Sequence, residues 1–273
     1  MLQNSFIFLQ GINHVLEKHL WNHGIRDWDQ FLNAKTIPKI SGRRKYFYDK
    51  KIIEARKALY CDDSSFFQKN FPHSESYRLY DNFKHDVVFL DIETSGLSPY
   101  YSYITMIGLY DGINSKTIIP PLQFDYHRLK KELEQYKLIV TFNGSSFDLP
   151  FINKYYPGLL PDAVHIDLRI AARKMDLTGG LKKIEKLLGI QRKEIIQDLN
   201  GGDALTLWRM YKATGDEYYL NLLIEYNEDD VINLQKLADI IIPRLKEKFI
   251  PKDGCLHPSS SPEKASRQHI AQA

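Results

Sequence analysis

The sequence is poor in cysteine. Its 273 residues include two, Cys61 and Cys255, far apart and outside any Cys-x-x-Cys pair. That spacing excludes a disulfide framework and a cysteine-built zinc site, and it fits a reduced, cytoplasmic protein. Long apolar runs are also missing: no segment reaches the roughly 18 apolar residues that a membrane span needs. The short run Phe6-Ile7-Phe8-Leu9 has no basic stretch before it and no small-residue cleavage site after it, so no secretory leader is expected. An excess of one charge is lacking as well, since 37 Lys and Arg against 34 Asp and Glu leave a formal charge of +3. Such a balance permits nucleic-acid binding without demanding it. Basic residues do gather in Ser41-Gly42-Arg43-Arg44-Lys45 and in Lys50-Lys51, runs that a solvated helix face explains more often than phosphate contact does. His14, His19 and His23 lie close together, but no Glu or Cys ligand set accompanies them, so they read as surface histidines rather than a zinc site.

What is present is length and patterning. The chain suffices for one large domain and one small one, because domains commonly run to about 100–200 residues. Residues 1–84 read as a small helical accessory domain. Ile12, Val15, Leu16, Leu20 and Trp21 make a helical stripe over 12–22, with Gly24 as a stop. A short helix is expected over 28–32 with Asp27 as its N-cap, and a longer one over 51–59. Residues 85–250 alternate as an α/β domain does. Strands are expected at 86–91, 103–110, 116–119, 138–142 and 163–166, with a helix at 126–135. Helices follow at 168–175, 180–188, 203–213 and 216–248, with Pro243 kinking or breaking the last. Residues 251–273 carry Ser and Pro and few apolar side chains, as a disordered tail does.

Three acidic segments carry the chemistry. In Asp91-Ile92-Glu93-Thr94-Ser95-Gly96-Leu97 the two acids are i and i+2 on a strand, so they project from one face. Two close carboxylates repel and resist desolvation, and a divalent cation between them resolves the conflict. An exposed acidic strand end is the plainer alternative. Phe142-Asn143-Gly144-Ser145-Ser146-Phe147-Asp148 ends another buried strand and opens a helix. Ligands collect at such strand ends, yet a turn at Asn143 and a helix-capping Asp148 would also account for it. In Tyr226-Asn227-Glu228-Asp229-Asp230-Val231 the tyrosine and Asp230 are i and i+4 and share a face. Leu223, Tyr226, Asp230, Leu234 and Leu237 then form one inward stripe, with Asp230 buried and Glu228 and Asp229 solvated. Taken alone, Tyr226 also fits a core tyrosine with its hydroxyl at the rim. Asp167 reads as a helix cap or as a further acid in the cleft.

Together the motifs Asp91-x-Glu93, Asn143-Gly144-x-x-Phe147-Asp148 and Tyr226-x-x-x-Asp230 resemble those of the DEDD superfamily of 3′–5′ exonucleases, in its tyrosine subclass. The resemblance covers about residues 86–240. Within that superfamily the chain is most similar to the YprB-like family, through Gly180-Leu181-Lys182-Lys183-Ile184-Glu185, Leu207-Trp208 after Gly201-Gly202, and the Tyr226 helix.

The resemblance implies a ribonuclease-H-like fold, α/β, with a mixed five-stranded sheet flanked by helices. It implies hydrolysis of single-stranded 3′ ends of DNA or RNA with two divalent cations, Mg²⁺ or Mn²⁺. Asp91 would bridge both ions, Glu93 and Asp230 would complete the site of the water-bearing ion, and Asp148 would hold the other. Tyr226 would orient the attacking water. Thr94, Gly96, Leu97, Asn143 and Phe147 would lie along the terminal nucleotide. Two other readings use the same fold: a catalytically weak nucleic-acid-binding module, and a structure-selective endonuclease. The N-terminal helices would serve either as a grip on substrate or as a dock for a protein partner.

Overall fold

Apolar alternation after residue 86 builds the sheet. In the computed structural model, which describes residues 1–196, 199 and 201–249, five strands form: β1 (Val87–Thr94), β2 (Ile104–Tyr110), β3 (Ser115–Ile118), β4 (Leu138–Thr141) and β5 (Val164–Asp167). Their order is β3-β2-β1-β4-β5. β1 pairs antiparallel with β2 and parallel with β4, β2 with β3 antiparallel, and β4 with β5 parallel. The sheet is therefore mixed and flanked by helices, as expected. The expected tail, 251–273, lies outside the described residues.

The two faces of β1 meet different layers. Val88, Leu90 and Ile92 point into a cluster with Leu129 and Leu133 of helix α6 (Tyr126–Leu133) and with Phe151 and Ile152 of α7 (Asp148–Tyr155). Val87 and Phe89 point the other way. There they join a cluster with Leu234, Leu237, Ala238 and Ile241 of the last helix, α11 (Glu217–Phe249). In sequence, α8 (Leu168–Arg173), α9 (Leu181–Leu188) and α10 (Gly201–Thr214) come between β5 and α11. α11 runs through Pro243 without a break. Ile241, Ile242 and Leu245 are all buried in the main cluster, so packing on both sides of the proline holds the helix despite the missing N–H.

The first zone is helical: α1 (His14–Asn22), α2 (Trp28–Asn33), α3 (Gly42–Tyr60), α4 (Ser64–Asn70) and α5 (Tyr80–Phe83). Asn13, Asp27, Ser41 and Asp63 cap the first four through their side chains. α3 starts at Gly42 rather than near residue 51, so the basic run lies inside it. Its buried stripe is Lys45, Tyr48, Ile52, Ala55 and Ala58. Lys45 hides the pattern because it lies over the Phe31 ring and pairs with Asp49 at 2.7 Å. Side chains of this zone, from Leu2 and Phe6 to Phe83, belong to the same buried cluster as Val87, Phe89 and Leu138 of the sheet. Arg78 is fully buried there and matched on both sides, by Glu17 at 2.9 Å and Glu75 at 2.8 Å. No described helix is long and apolar enough to cross a membrane.

Candidate active site

Strand periodicity carries Asp91 and Glu93 onto the face that Val87 and Phe89 begin, and that face looks at α11. Four residues before the buried Leu234, α11 presents Asp230. Ligand oxygens of Asp91, Glu93 and Asp230 all lie within 4.8 Å of one another. Among the described residues no other set of three His, Cys, Asp or Glu side chains comes together in this way. Tyr226, one turn before Asp230, is buried beside them.

Asp148 stands outside that trio. It is the first residue of α7, where the helix dipole favours a negative charge. β1 pairs with β4 only as far as Phe89. Beyond that point the Ile92 N–H donates to Asp148 Oδ1 at 3.1 Å. The fourth acid is thus fastened to the backbone between Asp91 and Glu93. The loop that delivers it turns at Asn143, whose φ of 69° lies in the left-handed region that asparagine tolerates. Asp167 shapes this loop: it accepts from the Asn143 and Ser145 N–H groups at 2.8 and 3.2 Å while capping α8 through Arg169 N–H. Its oxygens are therefore engaged, and it acts as a cap.

Crowding and burial set the electrostatics. Burial, and then the charges of Asp230 and Asp148, push the carboxyls of Asp91 and Glu93 well above the usual range. Burial raises Asp148 to about 7. Burial also raises Asp230, to about 6, while the Arg192 guanidinium pulls it back. Tyr226 is held strongly as a neutral phenol, by burial and then by Asp230, Glu93 and Asp91. The donor set is oxygen alone, concentrated and short of counter-charge. Those are the terms on which a hard divalent cation binds.

A family model of the RNase H superfamily matches residues 88–242, more than half of the chain. The chain belongs to the RNase H superfamily. Among solved structures the domain is similar to NrnC of Brucella melitensis, 20% identical, covering 62% of this chain and 78% of that one with a TM-score of 0.44. NrnC has also been determined with bound Mg²⁺. A second likeness is to the family B DNA polymerase of the hyperthermophilic archaeon Pyrobaculum calidifontis: 16% identity, TM-score 0.48, covering 60% of this chain and 25% of the polymerase. A search of curated proteins finds no match.

Around the acid cluster of this RNase H superfamily domain the expected substrate-side residues differ in their freedom. The β1–β2 register shifts at Glu93/Thr94, and Thr94 Oγ1 donates to the Gly96 carbonyl at 2.7 Å, tightening the turn. Leu97 follows it with 87% of its surface exposed. Phe147 is half-buried and packs on Phe151, ring centres 4.9 Å apart. The Asn143 carboxamide is engaged by Arg169 at 2.6 Å. Asp229, expected in solvent, is 4% exposed and accepts from Lys193 N–H at 3.3 Å. The reason is tertiary: the segment after α9 folds over that side of α11.

Four further residues, none among the expected ligand or substrate-side set, complete the surroundings: Arg192 from that segment, Lys182 of α9, Asn227 of α11 and Gly108 of β2. Arg192 reaches Asp230 at 2.5 Å and Glu185 at 2.7 Å. Lys182 Nζ lies 4.8 Å from the centre of the Tyr226 ring. Asn227 Nδ2 donates to Asp91 Oδ2 at 3.2 Å. Gly108, directly across β2 from Asp91, makes that reach possible: a Cβ there would sit 2.3 Å from Asn227 Oδ1. One signal for Arg192 did exist. Glu185 lies among Leu181, Ile184 and Leu188 on α9, and an acid in an apolar stripe requires a cation. Lys182 carried no such signal.

Proposed function

We propose that this RNase H superfamily domain is a metal-dependent 3′–5′ exonuclease acting on single-stranded nucleic-acid ends. The observation that carries the reading is the convergence of Asp91, Glu93 and Asp230 within 4.8 Å, with Tyr226 one turn away on the helix that supplies Asp230. An all-carboxylate set suits Mg²⁺ or Mn²⁺. Asp91, Glu93 and Asp230 would hold one ion, and Asp148 with Asp91 a second. When bound, such ions lower the pKa of a water and offset charge on the phosphate.

The chain's own groups do the rest. Asn227 holds the Asp91 carboxylate in one orientation across Gly108. Tyr226, kept as a phenol, donates a hydrogen bond that orients the attacking water and takes up no proton itself. Lys182 and Arg192, both against the Tyr226 ring, place positive charge beside the scissile phosphate. Leu97, exposed and free of packing, offers its side chain to the terminal base, with Thr94 and Gly96 shaping the backbone beneath it. The 3′–5′ polarity and the preference for single strands follow from the motif resemblance.

The test uses 5′-labelled single-stranded DNA and RNA, with Mn²⁺ or EDTA, beside an Asp91→Asn control. A metal-dependent ladder shortening from the 3′ end, absent from the control, is expected. Intact oligonucleotides in every lane would refute the reading. Cleavage of circular or end-blocked strands would replace it with an endonuclease.

A further inference from the structure

The formal charge of +3 belies its distribution. α3 alone carries seven basic and two acidic residues. Both acids are already matched, Asp49 by Lys45 at 2.7 Å and Glu54 by Lys51 at 2.9 Å. Arg56 pairs with Asp29 of α2. Arg43, Lys50 and Lys57 have no carboxylate partner among the described residues.

These three unpaired cations are spaced by seven residues, so they align along one side of the helix. Offset by three, Tyr46, Ile53 and Tyr60 repeat the same spacing. Positions i, i+3 and i+7 share a helical face. The result is one stripe in which cations and large apolar side chains alternate. Tyr46 is 63% exposed, Ile53 57% and Tyr60 92%. No buried contact explains the pattern, because the packed face of α3 is the opposite one, through Tyr48, Ile52 and Ala55.

We propose that this stripe of α3 is a second binding site for single-stranded nucleic acid, separate from the acid cluster. Seven helical residues span about 10 Å, the rise of about three stacked nucleotides. Each cation therefore meets a phosphate at regular intervals. The tyrosines between them supply faces on which bases stack without regard to sequence. Lys50 Nζ already lies 4.5 Å from the Tyr46 ring, the cation-on-ring arrangement that accompanies such stacking. At the start of the stripe a cavity of about 350 Å³ opens between Gln10, Arg43, Arg44, Phe47 and Tyr48. A second copy of this helix is a poor occupant, since unpaired cations would face unpaired cations. A polyanion with flat apolar groups is complementary to both components.

The inference deepens the nuclease reading by naming where the strand is held away from the catalytic end, but the binding it describes needs no turnover. A second contact on the same strand acts through effective concentration, slowing release between cuts.

The test measures fluorescence anisotropy of labelled dT20 and U20 oligonucleotides with the full-length Asp91→Asn protein in EDTA, over a series of salt concentrations. Adding R43Q, K50Q and K57Q together is expected to weaken binding at least tenfold. It should also flatten the log-affinity against log-salt slope by about 2, the value for three released phosphate counterions on a single strand. Adding Y46A and Y60A instead should weaken binding about tenfold while leaving the slope unchanged, because stacking carries no counterions. Unchanged affinity and slope in both variants would overturn the proposal. All substituted positions are exposed, so unfolding midpoints should match the parent. With Asp91 restored, Mn²⁺-dependent hydrolysis of a dinucleotide, too short to span two of the cations, separates the two readings. Equal rates with and without the triple substitution leave catalysis intact. No hydrolysis by either protein counts against the nuclease while the binding result still decides the stripe.

Discussion

Replacing Arg192 by glutamine should destabilise the metal-free protein far more than the metal-loaded one. Arg192 is 6% exposed and stands between two carboxylates that are also buried, Glu185 at 2% and Asp230 at 8%. Without it, two buried acids lose their cation beside Asp91 and Glu93, which already crowd Asp230. Breaking a buried ion pair by removing one partner costs about 3–5 kcal/mol. In a chain of this size each kcal/mol moves the midpoint by roughly 2–4 °C, so R192Q in EDTA should melt roughly 6–20 °C below the parent. Divalent cation at about 100 times its Kd returns about 2.7 kcal/mol to any protein that binds it only when folded. R192Q should regain more than the parent, because no guanidinium competes for Asp230. The gap in midpoint must therefore narrow on adding Mn²⁺. Thermal unfolding of parent, R192Q and R192Q/D230N, each in EDTA and in Mn²⁺, reads all of this. The double variant removes one of the two orphaned charges, leaving Glu185, and should recover part of the lost stability in EDTA. If it is as unstable as R192Q, or if Mn²⁺ leaves the gap unchanged, the counter-charge argument is wrong.

Three further perturbations are decided by other contacts. Tyr226→Phe removes the phenolic hydroxyl and nothing else from the site, so kcat should fall about a hundredfold, the cost of a misplaced nucleophile, with the Mn²⁺-induced shift in melting midpoint preserved. A lost midpoint shift would show that the tyrosine acts structurally. Gly108→Ala puts a Cβ 2.3 Å from Asn227 Oδ1; overpacking of this kind costs about 1–3 kcal/mol. It should also weaken Mn²⁺ binding, by calorimetry, because Asn227 can no longer hold Asp91. His165 is buried against Thr141 at 2.9 Å and its pKa is pushed down to about 4, chiefly by burial. It stays neutral in the fold while the unfolded chain takes a proton below about 6.5. Its contribution is thus complete above that pH and is lost as pH falls toward 4, at about 1.4 kcal/mol per unit. Urea unfolding at pH 7 and pH 5 should show a loss about 2 kcal/mol larger for the parent than for His165→Gln, and equal losses would refute the assignment.

The parts of the site legible in the sequence are those fixed by local periodicity. Alternation of two placed Asp91 with Glu93, and a period of 3.6 placed Tyr226 with Asp230. Both hold in the structure because each pair lies within one regular element. The start of α3 was lost for a local reason too: Lys45 occupies a buried position by lying along Phe31, so an apolar stripe reads as a charged run. Asp229 went astray for a different reason. A helical wheel places it beside solvent, and only the chain after α9, returning from 38 residues away at Arg192 to touch Asp230, closes that side. Gly108 and Asn227 explain each other once β2 and α11 are in contact, and neither is informative alone.

The division has a physical basis in the acid cluster itself. Four carboxylates drawn together by strand and helix geometry repel one another, and burial adds to the cost. A fold that keeps them together without a bound ion must supply positive charge and donors from elsewhere. Here those come from three separate elements: Arg192 after α9 onto Asp230, the Ile92 N–H of β1 onto Asp148, and Asn227 of α11 onto Asp91. Arg192 lies outside the three acidic segments, Ile92 and Asn227 stand inside them beside the acids, and each reaches an acid carried by another element. The acids are placed by sequence neighbours within a strand, a loop and a helix, while the charge and hydrogen bonds that hold them are set by contacts between elements. Variants of the supporting set should therefore shift metal affinity and metal-free stability in opposite proportions to variants of the ligands. Asp91→Asn relieves repulsion and raises metal-free stability while abolishing the Mn²⁺ response. Asn227→Ala leaves every ligand in place, lowers metal-free stability and weakens that response only in part.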